Sequence, residues 1–99
     1  MEELLKLSHD YSVEALKLYQ ILKTENSESY LGRKIMTNGI DLGLQVRGEK
    51  SKEKIKQYVT EMKYLLAVIC DADYLSRETT ETLKNIAEKI EDTLKEENW

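Results

Sequence analysis

The sequence has no proline and no phenylalanine, and only one cysteine, one histidine and four glycines in 99 residues. Each scarcity excludes something. One cysteine excludes a disulfide framework and a cysteine-based zinc site. One histidine excludes a multi-histidine metal site within a single chain. The absence of proline, against an average usage of roughly 5%, suits long helices joined by short turns. No stretch approaches the roughly 20 apolar residues of a membrane span. The acidic start Met1-Glu2-Glu3 lacks the basic region of a secretory signal, so a reducing cytoplasm is the expected compartment. What is present is 40% hydrophobic and 34% charged residues, with 19 acidic side chains against 15 basic ones and a net charge of −4. That apolar fraction is too high for a disordered chain. One domain is expected over residues 1–99, because two cores in so short a chain would each be too small to stand alone.

The hydrophobic residues recur with helical period almost throughout. In a first segment, about Glu2 to Lys23, Leu4, Leu7, Tyr11, Ala15, Leu18 and Leu22 form a stripe that Leu5, Leu16 and Tyr19 widen. Thr24-Glu25-Asn26-Ser27 reads as a turn, with Ser27 or Ser29 capping the next helix. A second segment, about Ser29 to Arg47, carries Leu31, Ile35, Leu42 and Val46 on one flank and Met36, Ile40 and Leu44 on another. Between the flanks lie Gly32, Gly39 and Gly43. Each glycine costs a helix roughly 1 kcal/mol relative to alanine, and close approach of another backbone is the usual compensation. Two readings stay open here. This is the most buried helix of the monomer, or one of its flanks packs on a second subunit.

Gly48 is placed to end the second segment in a left-handed conformation. Ser51 caps a third segment, about Lys52 to Ala72, with a stripe of Ile55, Tyr58, Val59, Met62, Leu65, Leu66, Ile69 and Cys70. Tyr64 and Val68 lie off it, one turn apart, as a partner patch or as scattered surface residues. After a turn at Asp73-Tyr74-Leu75, Ser76 caps a fourth segment whose narrow stripe is Thr79, Leu83, Ile86, Ala87, Ile90 and Leu94. Trp99 lies beyond the pattern and is expected to fray. Four such helices with short turns predict an all-α, antiparallel, up-down-up-down four-helix bundle.

Catalytic constellations are missing from this reading. His9 has no nucleophile paired with it in the pattern, and Cys70 sits on an apolar stripe, where a structural thiol is the expected role. The Glu-x-x-His motif of bundle di-metal sites is absent, as are the glycine-rich phosphate loops. A non-enzyme is expected, with no cofactor, no metal and no small-molecule substrate. The charge is uneven, however. Arg47 to Lys56 holds five basic residues against two acidic ones, whereas residues 77 to 99 hold seven acidic against four basic. A basic turn on an acidic body suits local phosphate contact; in a single chain it also reads as an ordinary solvated turn.

Two turns carry a family resemblance. Gly48-Glu49-Lys50-Ser51-Lys52-Glu53-Lys54-Ile55 and Asp73-Tyr74-Leu75-Ser76-Arg77-Glu78 resemble the four-helix-bundle proteins encoded in intervening sequences of bacterial large-subunit ribosomal RNA genes. There the second turn is typically Gly-x-x-Ser-Lys, and the third is Gly-Tyr-Leu-Ser followed by acidic residues. The same superfamily includes the accessory variability determinant of diversity-generating retroelements. The resemblance runs from about Tyr30 to Leu94. Ile40-Asp41-Leu42-Gly43-Leu44-Gln45-Val46-Arg47 stands where the intervening-sequence branch has Ile-Pro-x-Asn-Ile-Ala-Glu-Gly. Helix three is also about two turns shorter than is usual in the family. Arg33 matches an early arginine in helix two of the retroelement branch.

The resemblance implies a homopentameric barrel that serves as an accessory to a reverse transcriptase and its RNA. Because the chain is acidic where the retroelement protein is basic, RNA contact is expected to be weak and confined to Arg47, Lys50, Lys52, Lys54 and Lys56, joined by Arg33 and Lys34. Gly32, Gly39, Gly43, Tyr64 and Val68 are the candidates for oligomer or partner packing. The alternatives are an intervening-sequence-type bundle of unknown role and a monomeric partner-binding module of the immunity-protein kind. Catalysis would require oligomer symmetry to gather His9 or carboxylates from several chains.

Overall fold

In the computed structural model, which describes residues 1–96, four helices follow one another: α1 (Glu2–Asn26), α2 (Tyr30–Arg47), α3 (Lys52–Asp71) and α4 (Arg77–Glu96). Trp99 lies outside the described residues. Helix α1 neighbours α2 and α4, and α3 neighbours the same two, so the chain goes round a square in sequence order as an up-down-up-down bundle measuring 41 × 20 × 18 Å. The core is built from the predicted stripes, where Leu4, Tyr11, Ala15, Leu18 and Leu22 meet Ile35, Leu42, Val46, Ile55, Val59, Met62, Leu65, Leu66, Ile69, Leu83, Ala87, Ile90 and Leu94, and is joined by Leu75 from the third turn. Three stripe assignments differ. Leu5 and Leu16 are exposed rather than widening the core, and on α4 it is Thr80, not Thr79, that is buried. The Thr80 hydroxyl donates to the Arg77 carbonyl at 3.1 Å and lies 3.2 Å from the half-buried Cys70 thiol.

The α1–α2 pair is the most closely packed, and its glycines are the reason. A Cβ on Gly39 would collide with the Ala15 Cβ, one on Gly43 would stand 2.8 Å from the Ser12 hydroxyl, and one on Gly32 would stand 3.1 Å from the Tyr19 ring. With the side chains absent, the backbones come close enough for the Ser12 hydroxyl to donate to the Gly39 carbonyl at 2.6 Å. Arg47 stitches the same seam. Its guanidinium donates to the Gly43 carbonyl at 2.8 Å, the Ser8 hydroxyl at 3.1 Å and the Leu5 carbonyl at 3.3 Å. The compensation for three helix-weakening residues is therefore intramolecular. Gly32, Gly39 and Gly43 pack on α1 of their own chain and do not face outward toward a second subunit.

The helix ends correct other expectations. Helix α1 runs one turn past Lys23, because the Thr24 hydroxyl bonds the Gln20 carbonyl (2.8 Å) within the helix instead of opening a turn. Ser27 then closes it in the left-handed region at φ 53°, and it is the Glu28 carboxylate, not a serine, that accepts from the Leu31 amide at 2.6 Å. Gly48 is not left-handed (φ −104°); Lys50 takes that conformation at φ 57° while its amide closes on the Gln45 carbonyl. Ser51 and Ser76 do cap α3 and α4, accepting from the Lys54 and Thr79 amides at 3.2 and 3.1 Å. A non-glycine residue in the left-handed region is strained by about 1 kcal/mol. Ser27→Gly is accordingly expected to raise stability by about 0.5 kcal/mol, a few degrees in a thermal melt followed by circular dichroism; a lower melting temperature would refute the strain.

Candidate nucleic-acid and partner surfaces

The turn between α2 and α3 is held by one residue that sequence reading passed over. Gln45 accepts the Lys50 amide on its backbone carbonyl (2.8 Å) and the Ser51 amide on its side-chain oxygen (3.0 Å). Its signal, a polar residue inside the last helical turn, is too common to be noticed. The rigid turn disperses its cations. Arg47 folds back onto α1 and donates across the seam. Lys54 pairs with Glu49 at 3.1 Å, and the hydrogen bond from Lys54 holds the exposed Glu49 carboxyl below the usual carboxylate range. Lys52 and Lys56 turn the other way, into a groove of about 440 Å³ whose remaining walls are Glu53, Glu91, Leu94 and Lys95. Lys50 and Lys56 are exposed and form no ion pair among the described residues.

Arg33 and Lys34 do not join this group. They occupy the opposite end of α2, some 13 residues and about 20 Å of helical rise from Arg47. There they line a second groove, of about 530 Å³, between α2 and α3. The exposed Tyr30 ring stands at its mouth with the Lys34 ammonium 5.3 Å from its centroid. The floor is a polar junction of three helices. The buried Tyr11 hydroxyl of α1 donates to Asn38 Oδ1 of α2 at 2.7 Å, and Asn38 Nδ2 donates to the Tyr58 carbonyl (2.8 Å) and to Glu61 Oε1 (3.1 Å) of α3. Burial, reinforced by the nearby Glu61 charge, pushes the Tyr11 phenol well above its ordinary range. Neither Asn38 nor Glu61 stands out in the sequence, because a single polar position on an otherwise apolar flank has no periodic signature.

The surface also carries unburied apolar side chains. On α2, Ile40 and Leu44 are 42% and 62% exposed, one turn apart, with Met36 half-buried beside them. On α1, exposed Leu5 and Leu16 lie just outside the edge, Ser8, Ser12 and Ala15, that meets the glycines; they flank the same seam. Val13 lies farther round. Tyr64 is 70% exposed, but Val68 is half-buried, so the expected patch on α3 amounts to one open ring. His9 is exposed on α1. Among the described residues no group of three or more histidine, cysteine or acidic side chains is arranged to hold a metal ion, and no helix is long and apolar enough to cross a membrane.

No family model and no curated protein matches the chain. Among solved structures, a protein of unknown function from the S23 ribosomal protein family of Bacteroides thetaiotaomicron is similar over 92% of this chain and 94% of its own, with a TM-score of 0.85 and 22% sequence identity. At that identity the likeness is one of fold: this chain shares the four-helix architecture of that protein.

Proposed function

We propose that the protein is a non-catalytic scaffold that self-associates and, as an assembly, serves a nucleic-acid-processing partner. The observation that carries this reading is the apolar face over the α1–α2 seam, where Leu5, Leu16, Ile40 and Leu44 stay in water although the core is full. Large apolar side chains grouped on one face are an association surface more often than an accident. A second copy is the favoured occupant. The one cation on the seam, Arg47, has its donors turned to the Gly43 and Leu5 carbonyls and the Ser8 hydroxyl, and association buries the exposed apolar side chains of both copies together. Repetition round an assembly would bring the Lys50, Lys52 and Lys56 ends of several copies onto one rim, where their fields add.

The turn resemblance names the partner class as a reverse transcriptase with its RNA and the assembly as a homopentamer. The ribosomal designation of the similar structure's family accords with the other branch of the resemblance, the proteins encoded within ribosomal RNA genes. Both branches share a bundle without catalytic chemistry. The monomeric partner-binding alternative would gain if Tyr64 and Val68 were the sole exposed apolar surface, but the α1–α2 face is the larger one.

Sedimentation velocity at micromolar to high-micromolar concentration tests the reading. The wild type is expected to sediment as a discrete oligomer, and the variant carrying Ile40→Glu with Leu44→Glu as a folded monomer. A wild type that remains monomeric at about 100 µM would sink the proposal. A Tyr64→Glu variant, placed on another face, is expected to assemble normally.

A further inference from the structure

We infer that His9 makes the self-association pH-dependent, holding copies together while its imidazole is neutral and releasing them when the ring takes up a proton. The inference rests on the scaffold reading and names the control of that same face. It is carried by the place of the chain's one histidine. A helix turns about 100° per residue, so His9, four residues after Leu5 and seven before Leu16, points within about 40° of both. All three are exposed and share the outer arc of α1. The seam fixes the level of His9 against α2. Ser8, its neighbour in the chain, accepts from Arg47, and Ser12, one turn on, donates to the Gly39 carbonyl. The stretch of α2 that runs alongside His9 therefore carries the exposed Ile40 and Leu44. The imidazole stands in the middle of the apolar face, among Leu5, Leu16, Ile40 and Leu44.

The surrounding charges do not compensate a protonated ring there. On α1, Asp10 is engaged by Lys6 at 2.9 Å, and that hydrogen bond is the main reason its carboxyl lies below the usual carboxylate range, with His9 a smaller influence. Glu2 lies two turns earlier, about 10 Å along the helix. The only carboxylate of α2, Asp41, lines the α2–α3 groove, and the charge that α2 sends to the seam is the Arg47 cation. Helix α4 packs on the other side of α1, where Thr93 meets Glu3, and α3 lies across the core. A neutral imidazole among leucines can be covered by a second copy. An imidazolium would be a second cation beside Arg47, taken out of water without a counter-ion. The assembled state therefore favours the neutral ring. Association is fully present above the ordinary imidazole range and weakens as pH falls through it, by up to about tenfold per pH unit for each imidazole covered. This holds for a pair of copies and for a ring, since every contact through the face includes His9.

Sedimentation equilibrium of the full chain at about pH 8 and about pH 5.5, which bracket the ordinary imidazole range, tests the switch. The wild type is expected to associate about tenfold more weakly at the acid pH for each His9 that a contact covers. His9→Gln, neutral throughout, is expected to associate equally at both. His9→Lys, charged throughout, is expected to associate weakly at both. Position 9 is exposed, so circular dichroism is expected to be the same for all three proteins at each pH. Any effect of acid on the carboxylates is common to wild type and His9→Gln, so the difference between those two isolates the imidazole. Equal association of the wild type at both pH values would overturn the inference and leave the scaffold reading standing. So would stronger association in acid, the same pH dependence in His9→Gln, or wild-type assembly of His9→Lys at about pH 8. A wild type that is monomeric at both pH values would overturn the scaffold reading, and this inference with it.

Discussion

Gly39→Ala is expected to destabilise the bundle by about 2 kcal/mol, although alanine is the better helix former. The substitution gains about 1 kcal/mol of helix propensity. Against that, the new methyl has nowhere to go: it meets the Ala15 Cβ, which has no rotamer to change, with the Ser12 Cα 3.5 Å away behind it. Overpacking of this kind costs roughly 1–3 kcal/mol. Separating the helices to relieve it also lengthens the Ser12–Gly39 hydrogen bond, about 1 kcal/mol more. For a domain of this size the melting temperature is expected to fall by about 10 °C. The other two glycines set a graded comparison. At Gly43 the obstacle is the tip of the Ser12 side chain, which can rotate away at the expense of its hydrogen bond, so Gly43→Ala is expected to cost less than Gly39→Ala. At Gly32 the neighbour is the half-buried Tyr19 ring, which can tilt, and Gly32→Ala is expected to be near neutral. Urea titrations of the three variants check the order; a stabilised Gly39→Ala would show that the helices do not approach this closely.

The second large effect lies at the three-helix junction. Asn38→Ala removes the acceptor of the buried Tyr11 hydroxyl and leaves it only the Tyr58 carbonyl at 3.4 Å. An unsatisfied buried polar group costs about 1–3 kcal/mol, and the vacated space adds to it, so a destabilisation of about 2–3 kcal/mol is expected. Tyr11→Phe, which removes the donor instead, is expected to cost about 1 kcal/mol, and the double variant less than the sum of the two. The same junction sets an alkaline limit. The Tyr11 phenol is raised in the folded state by burial and by the Glu61 charge, so above the ordinary tyrosine range the unfolded chain loses a proton that the folded chain keeps. Stability is therefore fully present below about pH 10 and falls as pH rises past it, by up to about 1.4 kcal/mol per pH unit for this group. Urea midpoints measured from about pH 8 to 11, a range that brackets the ordinary tyrosine pKa, are expected to fall more steeply for the wild type than for Tyr11→Phe. Equal slopes would show that Tyr11 is not the group responsible.

These two sites show what periodicity reveals. The stripes of α3 and α4 are legible because each faces one core, and a 3.6-residue repeat registers directly as a buried face. The serine caps of those helices are legible because a cap is a local bond between residues three apart. Leu5 and Leu16 mislead because α1 is apolar beyond the arc that its neighbours cover. Gly48 misleads because the chain continues its turn past the glycine, and the conformation that glycine favours falls on Lys50. The seven candidate cations read as one surface in a linear sequence. Folding splits them among an α1 stitch (Arg47), an ion pair (Lys54), an α3–α4 groove (Lys52 and Lys56), the exposed turn (Lys50) and the far end of α2 (Arg33 and Lys34).

By itself, then, the sequence determined the number, order and approximate length of the helices, their antiparallel path, and the absence of proline-broken elements, because these depend on short-range periodicity and local capping. Tertiary structure alone decided which helix the glycines admit, which polar residues meet at the Asn38 junction, and which cations stay free. Those outcomes depend on hydrogen bonds between residues 20 to 47 positions apart, and no local pattern encodes which side chain will stand opposite which.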